Sequence, residues 1–147
     1  MTQDIDYRQL VHAVGDAVIA ADAEGKITLW NRGAERIFGY TEEDAIGNTL
    51  DLITPERLRQ RHWTGYDKSM ATGTTKYGND LLRVPAMHKD GRALSIAFTV
   101  AMLFGADGKV ANIVAVIRDE TARFNDERNL RKRIVELEAQ VAASNPQ

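Results

Sequence analysis

The stretch R-A-L-S-I-A-F-T-V-A-M-L-F, residues 92–104, alternates large apolar side chains with small or polar ones. Leu94, Ile96, Phe98, Val100 and Met102 share one parity; Ala93, Ser95, Ala97, Thr99 and Ala101 share the other. Successive side chains of a strand point to opposite faces of a sheet, so this pattern predicts a half-buried antiparallel strand. One register alone puts all the large groups inside, with Phe98 and Val100 facing the interior and Ser95 and Thr99 facing away. A second β-rich run at 77–87 reaches it through H-K-D-G at 88–91, a hairpin turn. On the other side G-A-D-G at 105–108 leads into residues 110–119. The three runs predict an antiparallel meander.

Working back to the start, residues 4–14 carry Ile5, Leu10, Val11 and Val14 at helical spacing, and Gly15 ends the run. Residues 17–22 and 26–30 form a hairpin around a glycine turn. Asn31 opens a short helix with Ala34, Ile37 and Phe38 on its apolar side and Gly39 as its stop. Thr41 caps one or two further turns that end at Gly47. Strands before and after a helical block predict an α+β fold, a single antiparallel sheet with its helices on one face.

That block holds a longer helix over 54–73. Thr54 is its expected N-cap, Pro55 its first residue and Gly73 its C-terminal stop. Leu58, His62, Tyr66 and Met70 follow at steps of four and lie along one side. An imidazole therefore stands in the middle of an apolar stripe. Gly65 is out of place in a helix interior, where it costs about 1 kcal/mol against alanine unless something packs against the backbone. The other histidines, His12 and His88, are expected to face solvent, and three scattered histidines form no zinc site. Trp63 is expected at the surface or in a dimer contact, Trp30 at a strand end, and Met70, Met87 and Met102 as gap fillers, Met87 being a further metal donor if its strand lies on the far side of the site.

Composition narrows the classes of function. With 147 residues the chain is one domain plus an appendage, and 44% apolar residues suffice for a core. A net charge of −2 with no basic patch gives no reason to expect nucleic acid. The chain has no cysteine, which removes disulfides, thiolate metal sites and cysteine nucleophiles together. Met1 runs into T-Q-D-I-D, not a signal peptide, and no apolar run is long enough for a membrane span, so a cytoplasmic location is expected. No catalytic triad, paired-carboxylate spacing, phosphate loop or kinase motif occurs, and no enzyme activity is expected.

Beyond Asp119 the character changes. Residues 121–143 lack Gly and Pro and are rich in Glu, Arg and Lys. Leu130, Ile134, Leu137 and Val141 step by four, three and four, the rhythm of a coiled-coil seam. A helix this polar needs a partner, and the expected one is a second copy of the chain. The chain thus divides into an N-terminal helical cap at 1–15, a globular domain at 16–120, and a dimerisation helix with its tail at 121–147.

The motifs resemble those of PAS domains, the sensor modules of bacterial signalling proteins. The matching pieces are D-A-V-I-A-A-D-A-E-G-K-I-T-L-W-N at 16–31, A-E-R-I-F-G-Y-T-E-E-D-A-I-G at 34–47, H-K-D-G at 88–91 and V-I-R-D-E-T at 116–121. The resemblance implies a five-stranded antiparallel sheet cupped by short helices, a cavity between them, and a C-terminal helix that carries the signal to a downstream signalling protein or a dimer partner. The flavin photosensors of the family use a cysteine that this chain lacks, which excludes their photochemistry. P-E-R-L-R-Q-R-H at 55–62 resembles the bacterial haem-PAS gas sensors, which place a proximal iron ligand at the histidine.

That resemblance implies haem b held by His62, with Leu58, Tyr66, Leu82, Ile96, Phe98, Val100, Ile113 and Ala115 around it. One of the arginines 57, 59 and 61 is then placed to meet a propionate. Two departures stand out: Gly65 occupies a position where those sensors often carry tyrosine, and Leu82 stands where an arginine holds bound oxygen, with Arg83 expected on the other face. The alternative is a haem-free PAS module that binds a small organic ligand, or none, and acts through protein contacts.

Overall fold

The computed structural model describes residues 4–75 and 80–145. Five helices and five strands follow the order α1 (Tyr7–Ala13), β1 (Ala17–Ala21), β2 (Ile27–Trp30), α2 (Arg32–Phe38), α3 (Glu42–Ala45), α4 (Arg59–Thr72), β3 (Leu82–Met87), β4 (Ala93–Phe104), β5 (Val110–Asp119) and α5 (Thr121–Ser144). Two 3-10 turns, Leu50–Leu52 and Glu56–Leu58, precede α4. The strands form one antiparallel sheet in the order β2-β1-β5-β4-β3, so the hairpin from the first part of the chain joins the meander from the second along β1 and β5. The fold is α+β, as the alternation of strands and helices requires.

Directly paired residues share a face. Leu82 lies opposite Phe98, Phe98 opposite Ile117, and Ile117 opposite Ala17, one apolar row across four strands. Val100, Ala115, Ile19 and Trp30 form a second row, and Met102, Ile113 and Ala21 a third. Leu94, Ile96, Phe98, Val100 and Met102 of β4 are thus all on the inner face, while Leu103 lies on the outer one. On the outer face Thr99 is exposed and Ala97 is buried.

The packed core gathers Ala17, Ile19, Ile27, Trp30, Ala34, Phe38, Ala45, Ile53, Ala86, Leu94, Ile96 and Ile117. Trp30 and Phe38 are fully enclosed with ring centroids 5.6 Å apart, and the Trp30 indole N–H donates to the Tyr40 carbonyl at 2.9 Å. Asn31 is the one fully buried polar side chain among the described residues. Its Oδ1 accepts from Val18 N at 2.8 Å and Ala34 N at 2.9 Å; its Nδ2 donates to the carbonyls of Val11 at 2.8 Å and Asp16 at 3.0 Å. One side chain thereby caps α2 and ties both α1 and β1 to it. Gly33 is needed beside it, because a Cβ there would stand 2.2 Å from the Asp16 carbonyl oxygen.

The sheet edges are occupied by local chain. On β3, Pro85 has no N–H and the Met87 N–H donates to the Ile53 carbonyl at 2.9 Å. On β2, Ile27 N donates to the Asn48 carbonyl at 2.7 Å, and its own carbonyl accepts from Gly47 N at 3.0 Å.

Some boundaries depart from the sequence-based expectations. Thr54 does not cap the long helix: its hydroxyl donates to the Leu50 carbonyl at 2.8 Å, and Pro55 opens a 3-10 turn instead. α4 begins at Arg59, whose guanidinium donates to the carbonyls of Thr54 at 3.1 Å and Asp51 at 3.3 Å. Gly73 does end the helix, in the left-handed conformation with φ 70°. The strand expected over 77–87 starts at Leu82, and its positions 77–79 lie outside the described residues.

α5 is fixed at its start. Ser95 N donates to the Thr121 hydroxyl at 3.0 Å, Glu120 N to the Ser95 carbonyl at 2.8 Å, and Thr121 N to the Asp119 carboxylate at 2.9 Å. Beyond that point α5 has no buried residue. Among the described residues, no helix is long and apolar enough to cross a membrane.

Candidate functional site

α4 crosses the inner face near its β1–β2 and β4–β5 ends. The Tyr66 hydroxyl donates to the Asp22 carbonyl in the β1–β2 turn. At the C-terminus of α4, Gly73 lies against Phe104 and Val110. Trp63 is not the surface residue expected of it. Its ring lies over Gly25, where a Cβ would stand 2.1 Å from the indole, and its Nε1 donates to Asp51 Oδ1 at 2.8 Å. The face of α4 turned inward is therefore broader than a single stripe and includes Trp63 beside His62 and Tyr66.

His62 sits among these rings. Its centroid is 4.9 Å from that of Trp63, nearly perpendicular, and 5.8 Å from that of Tyr66. The side chain is half-buried, and its Nδ1 is out of solvent without a hydrogen-bond partner. Burial lowers the His62 pKa, against the opposing pull of Asp51 and Asp67, and so favours the neutral imidazole. Burial likewise raises the Tyr66 pKa far above its ordinary value, with Asp22, Asp67 and Glu24 adding to the shift. Tyr66 stays a neutral hydrogen-bond donor.

The other residues the sequence placed around His62 share a feature. Leu82, Phe98, Val100, Ile113 and Ala115 lie on the inner face, yet all are only half-buried, as is Leu58 in the turn before α4. Ile96 belongs instead to the packed core. Arg83 pairs with Ala97 and projects to the outer face, leaving Leu82 on the inner one. Met87 pairs with Ala93, again on the outer face, which removes it as a donor to anything held inside. Of the arginines near His62, Arg59 is engaged with backbone carbonyls while Arg57 and Arg61 are exposed.

The remaining histidines are less exposed than expected. His88 packs against Gly39, and its Nδ1 accepts from Asp90 N at 3.1 Å. His12 lies 3.8 Å from the Glu42 carboxylate, in a polar recess of about 700 Å³ between α1 and α2. A second recess, about 400 Å³ and almost wholly apolar, runs along α5 between Ile134 and Ala142. Neither is lined by His62. Among the described residues no three His, Cys, Asp or Glu side chains come together as a metal site. A metal at His62 would accordingly need a group that brings most of its own ligands. In donor chemistry, a half-buried imidazole with an unpartnered Nδ1 and a lowered pKa fits the iron of a haem.

One antiparallel sheet cupped on one face by short helices, with a long helix leaving its last strand, is the architecture of a small α+β sensory module. The chain belongs to the PAS fold family, whose profile matches residues 5–119. It is 39% identical to the sensor protein FixL of Bradyrhizobium diazoefficiens over 61 residues, 42% of this chain and 12% of that one. It is 25% identical to the oxygen sensor protein DosP of Escherichia coli over 113 residues, 77% of this chain and 14% of that one. The PAS domain of a Colwellia psychrerythraea protein superposes with a TM-score of 0.69 at 22% identity, covering 79% of this chain and 95% of that one. The chain spans only 12–14% of the length of these two curated relatives.

Proposed function

We propose that this PAS domain binds haem b through His62, responds to a diatomic gas, and passes the response through α5 to a partner. The observation that carries the reading is the half-buried His62 imidazole, whose Nδ1 is out of solvent without a hydrogen-bond partner and whose pKa burial lowers. Two relatives with sensor names, one of them an oxygen sensor, support the same class.

When bound, the haem supplies an iron with a free coordination position for a gas. The chain's own residues do the rest. His62 would offer its imidazole to the iron, and α4 holds that ring against Trp63 and Tyr66. Val100, Ile113 and Ala115 offer an apolar wall, and Arg57 or Arg61 is available to a propionate. With Leu82 in place of a distal arginine, bound gas receives no charged donor from that position. The reading therefore favours CO or NO, which need little hydrogen-bond help, over selective oxygen binding. It assigns no catalysis to the domain. Signal leaves through the Ser95–Thr121–Asp119 junction into α5, whose seam of Leu130, Ile134, Leu137 and Val141 pairs with a second copy.

Hemin titration of the purified chain tests the cofactor. Stoichiometric uptake with a Soret band, lost or shifted in ligation by His62→Ala, is expected. Unchanged uptake in the variant, or none in the parent, overturns haem ligation and leaves a module that takes a small organic ligand or acts by protein contact alone.

A further inference from the structure

The polar recess between α1 and α2 is not lined by His62 and takes no part in holding a haem. Its walls follow from helical spacing. Arg8 and His12 stand four residues apart on α1, and Arg32 and Glu35 three apart on α2, so each pair shares one side of its helix. All four line the recess, together with Asp6 and with Glu42 at the start of α3. Asn31 ties the two helices together here, donating through Nδ2 to the Val11 carbonyl of α1 while its Oδ1 caps α2. About 700 Å³ is left between them, a volume within the range of sites for small organic molecules.

The groups facing this space are unevenly satisfied. The carboxylates are engaged locally. Asp6 Oδ1 accepts from Gln9 N at 3.1 Å, Glu35 Oε2 accepts from Glu42 N at 2.8 Å, and Glu42 Oε2 lies 3.8 Å from His12 Nε2. That last distance is too long for a hydrogen bond, and His12 Nε2 is out of solvent without a partner. Arg8 and Arg32 have neither an ion-pair nor a hydrogen-bond partner among the described residues, although three carboxylates line the same recess. One concavity thus gathers a buried orphan nitrogen and two guanidinium groups that lack an acceptor.

The charges narrow what could supply that acceptor. A dianion such as phosphate would be repelled by Asp6, Glu35 and Glu42, and a simple amine by Arg8 and Arg32. The acidic and imidazole groups do not converge as ligands of a metal among the described residues. A molecule carrying a carboxylate and an ammonium a few bonds apart answers both sets of charges. We propose that the recess between α1, α2 and α3 binds such a zwitterion, an amino acid or short peptide. Arg8, Arg32 and His12 take its carboxylate, and Glu42 and Glu35 take its ammonium. The ligand then bridges α1 to the body of the domain, an input separate from His62.

Calorimetric titration of the full chain with alanine and alanylalanine tests this site, with N-acetylalanine and alaninamide as analogues that keep one charge each. Saturable binding of at least one zwitterion is expected. Each single-charge analogue should bind roughly tenfold more weakly or worse, the loss that accompanies one charge-assisted hydrogen bond. Arg32 is exposed and Glu42 half-buried, so Arg32→Gln and Glu42→Gln should fold as the parent does. Each should weaken zwitterion binding by a similar factor and leave hemin uptake unchanged.

No binding of either zwitterion at about 10 mM, beyond the millimolar end of the affinity scale, overturns the proposal. So does binding that N-acetylalanine or inorganic phosphate matches, or that survives Arg32→Gln and Glu42→Gln undiminished. Failure of hemin uptake in the parent bears on His62 alone and leaves this site standing.

Discussion

Under α2 and α3, the inner face of the sheet is finished. Trp30 and Phe38 are fully enclosed, Asn31 is fully buried with four hydrogen bonds, and even the glycine at 33 has no room for a methyl group. Where α4 crosses, the same sheet presents equally apolar residues, yet Phe98, Val100, Met102 and Ile113 all remain half-buried. The helix above them is tied at its edges by Tyr66 to Asp22 and by Trp63 to Asp51. The difference separates two tasks. One region holds the fold together, and the other leaves apolar residues partly exposed.

The contrast can be broken most plainly with two phenylalanines. Phe38→Ala removes a ring from a closed site and is expected to cost about 3–5 kcal/mol. Phe98→Ala removes the same group from the incompletely covered region, and about half that cost is expected, because part of the ring's transfer energy was never gained. Equal losses in denaturant unfolding would show that both regions are equally packed.

Asn31→Ala probes the polar side of the closed region. It strands two backbone N–H groups and two carbonyls in a dry site, and a loss of about 3 kcal/mol is expected. A loss under about 1 kcal/mol in thermal or denaturant melts, the size of one ordinary hydrogen bond, would mean that water replaces the side chain.

Gly65 gives an effect of opposite sign. It is exposed within α4, with nothing within 4 Å of where a Cβ would stand, and the structure shows no packing reason for it. Gly65→Ala should therefore stabilise the protein by about 0.5–1 kcal/mol. A destabilised variant would show that α4 needs freedom at that point.

The smallest effect is a pH dependence. Burial depresses the His62 pKa below its ordinary 6.5, so the unfolded chain binds this proton more readily than the folded one. The stability tied to His62 is complete above pH 6.5 and is lost as pH falls below that value toward the lower folded pKa. Urea melts of the parent and of His62→Gln should show a steeper acid-side decline in the parent. Identical slopes would place the imidazole in water.

Much of this architecture is legible in the residues. The parity of 92–104 decides which face of β4 turns inward, because slipping by one residue turns five large apolar groups outward. Asn31 and Gly39 read correctly as cap and stop because each acts within three or four residues, Asn31 through its side chain on Ala34 N and Gly39 through its left-handed backbone. The start of α4 was less legible. Thr54-Pro55-Glu56 has the composition of a helix start, but Thr54 donates backward to Leu50, and Arg59 reaches back to satisfy the carbonyls left open. Trp63 was missed because its partner is Gly25, distant in sequence, where the glycine reads only as a turn residue. The unpartnered Nδ1 of His62 leaves no mark in the sequence at all. It depends on which carbonyls happen to lie near the ring.

Pro85 and its neighbours have a consequence for behaviour at high concentration. A sheet edge with free donors is a template on which a second molecule can add a strand, and repeated addition leads to insoluble fibres. Here proline removes one outward donor of β3, Ile53 takes the next at Met87, and the segment around Gly47 and Asn48 covers β2. Growth by strand addition is thus hindered at both ends of the sheet. The exposed apolar residues Leu130, Ile134, Leu137 and Val141 lie instead on a helix, whose backbone donors are used internally.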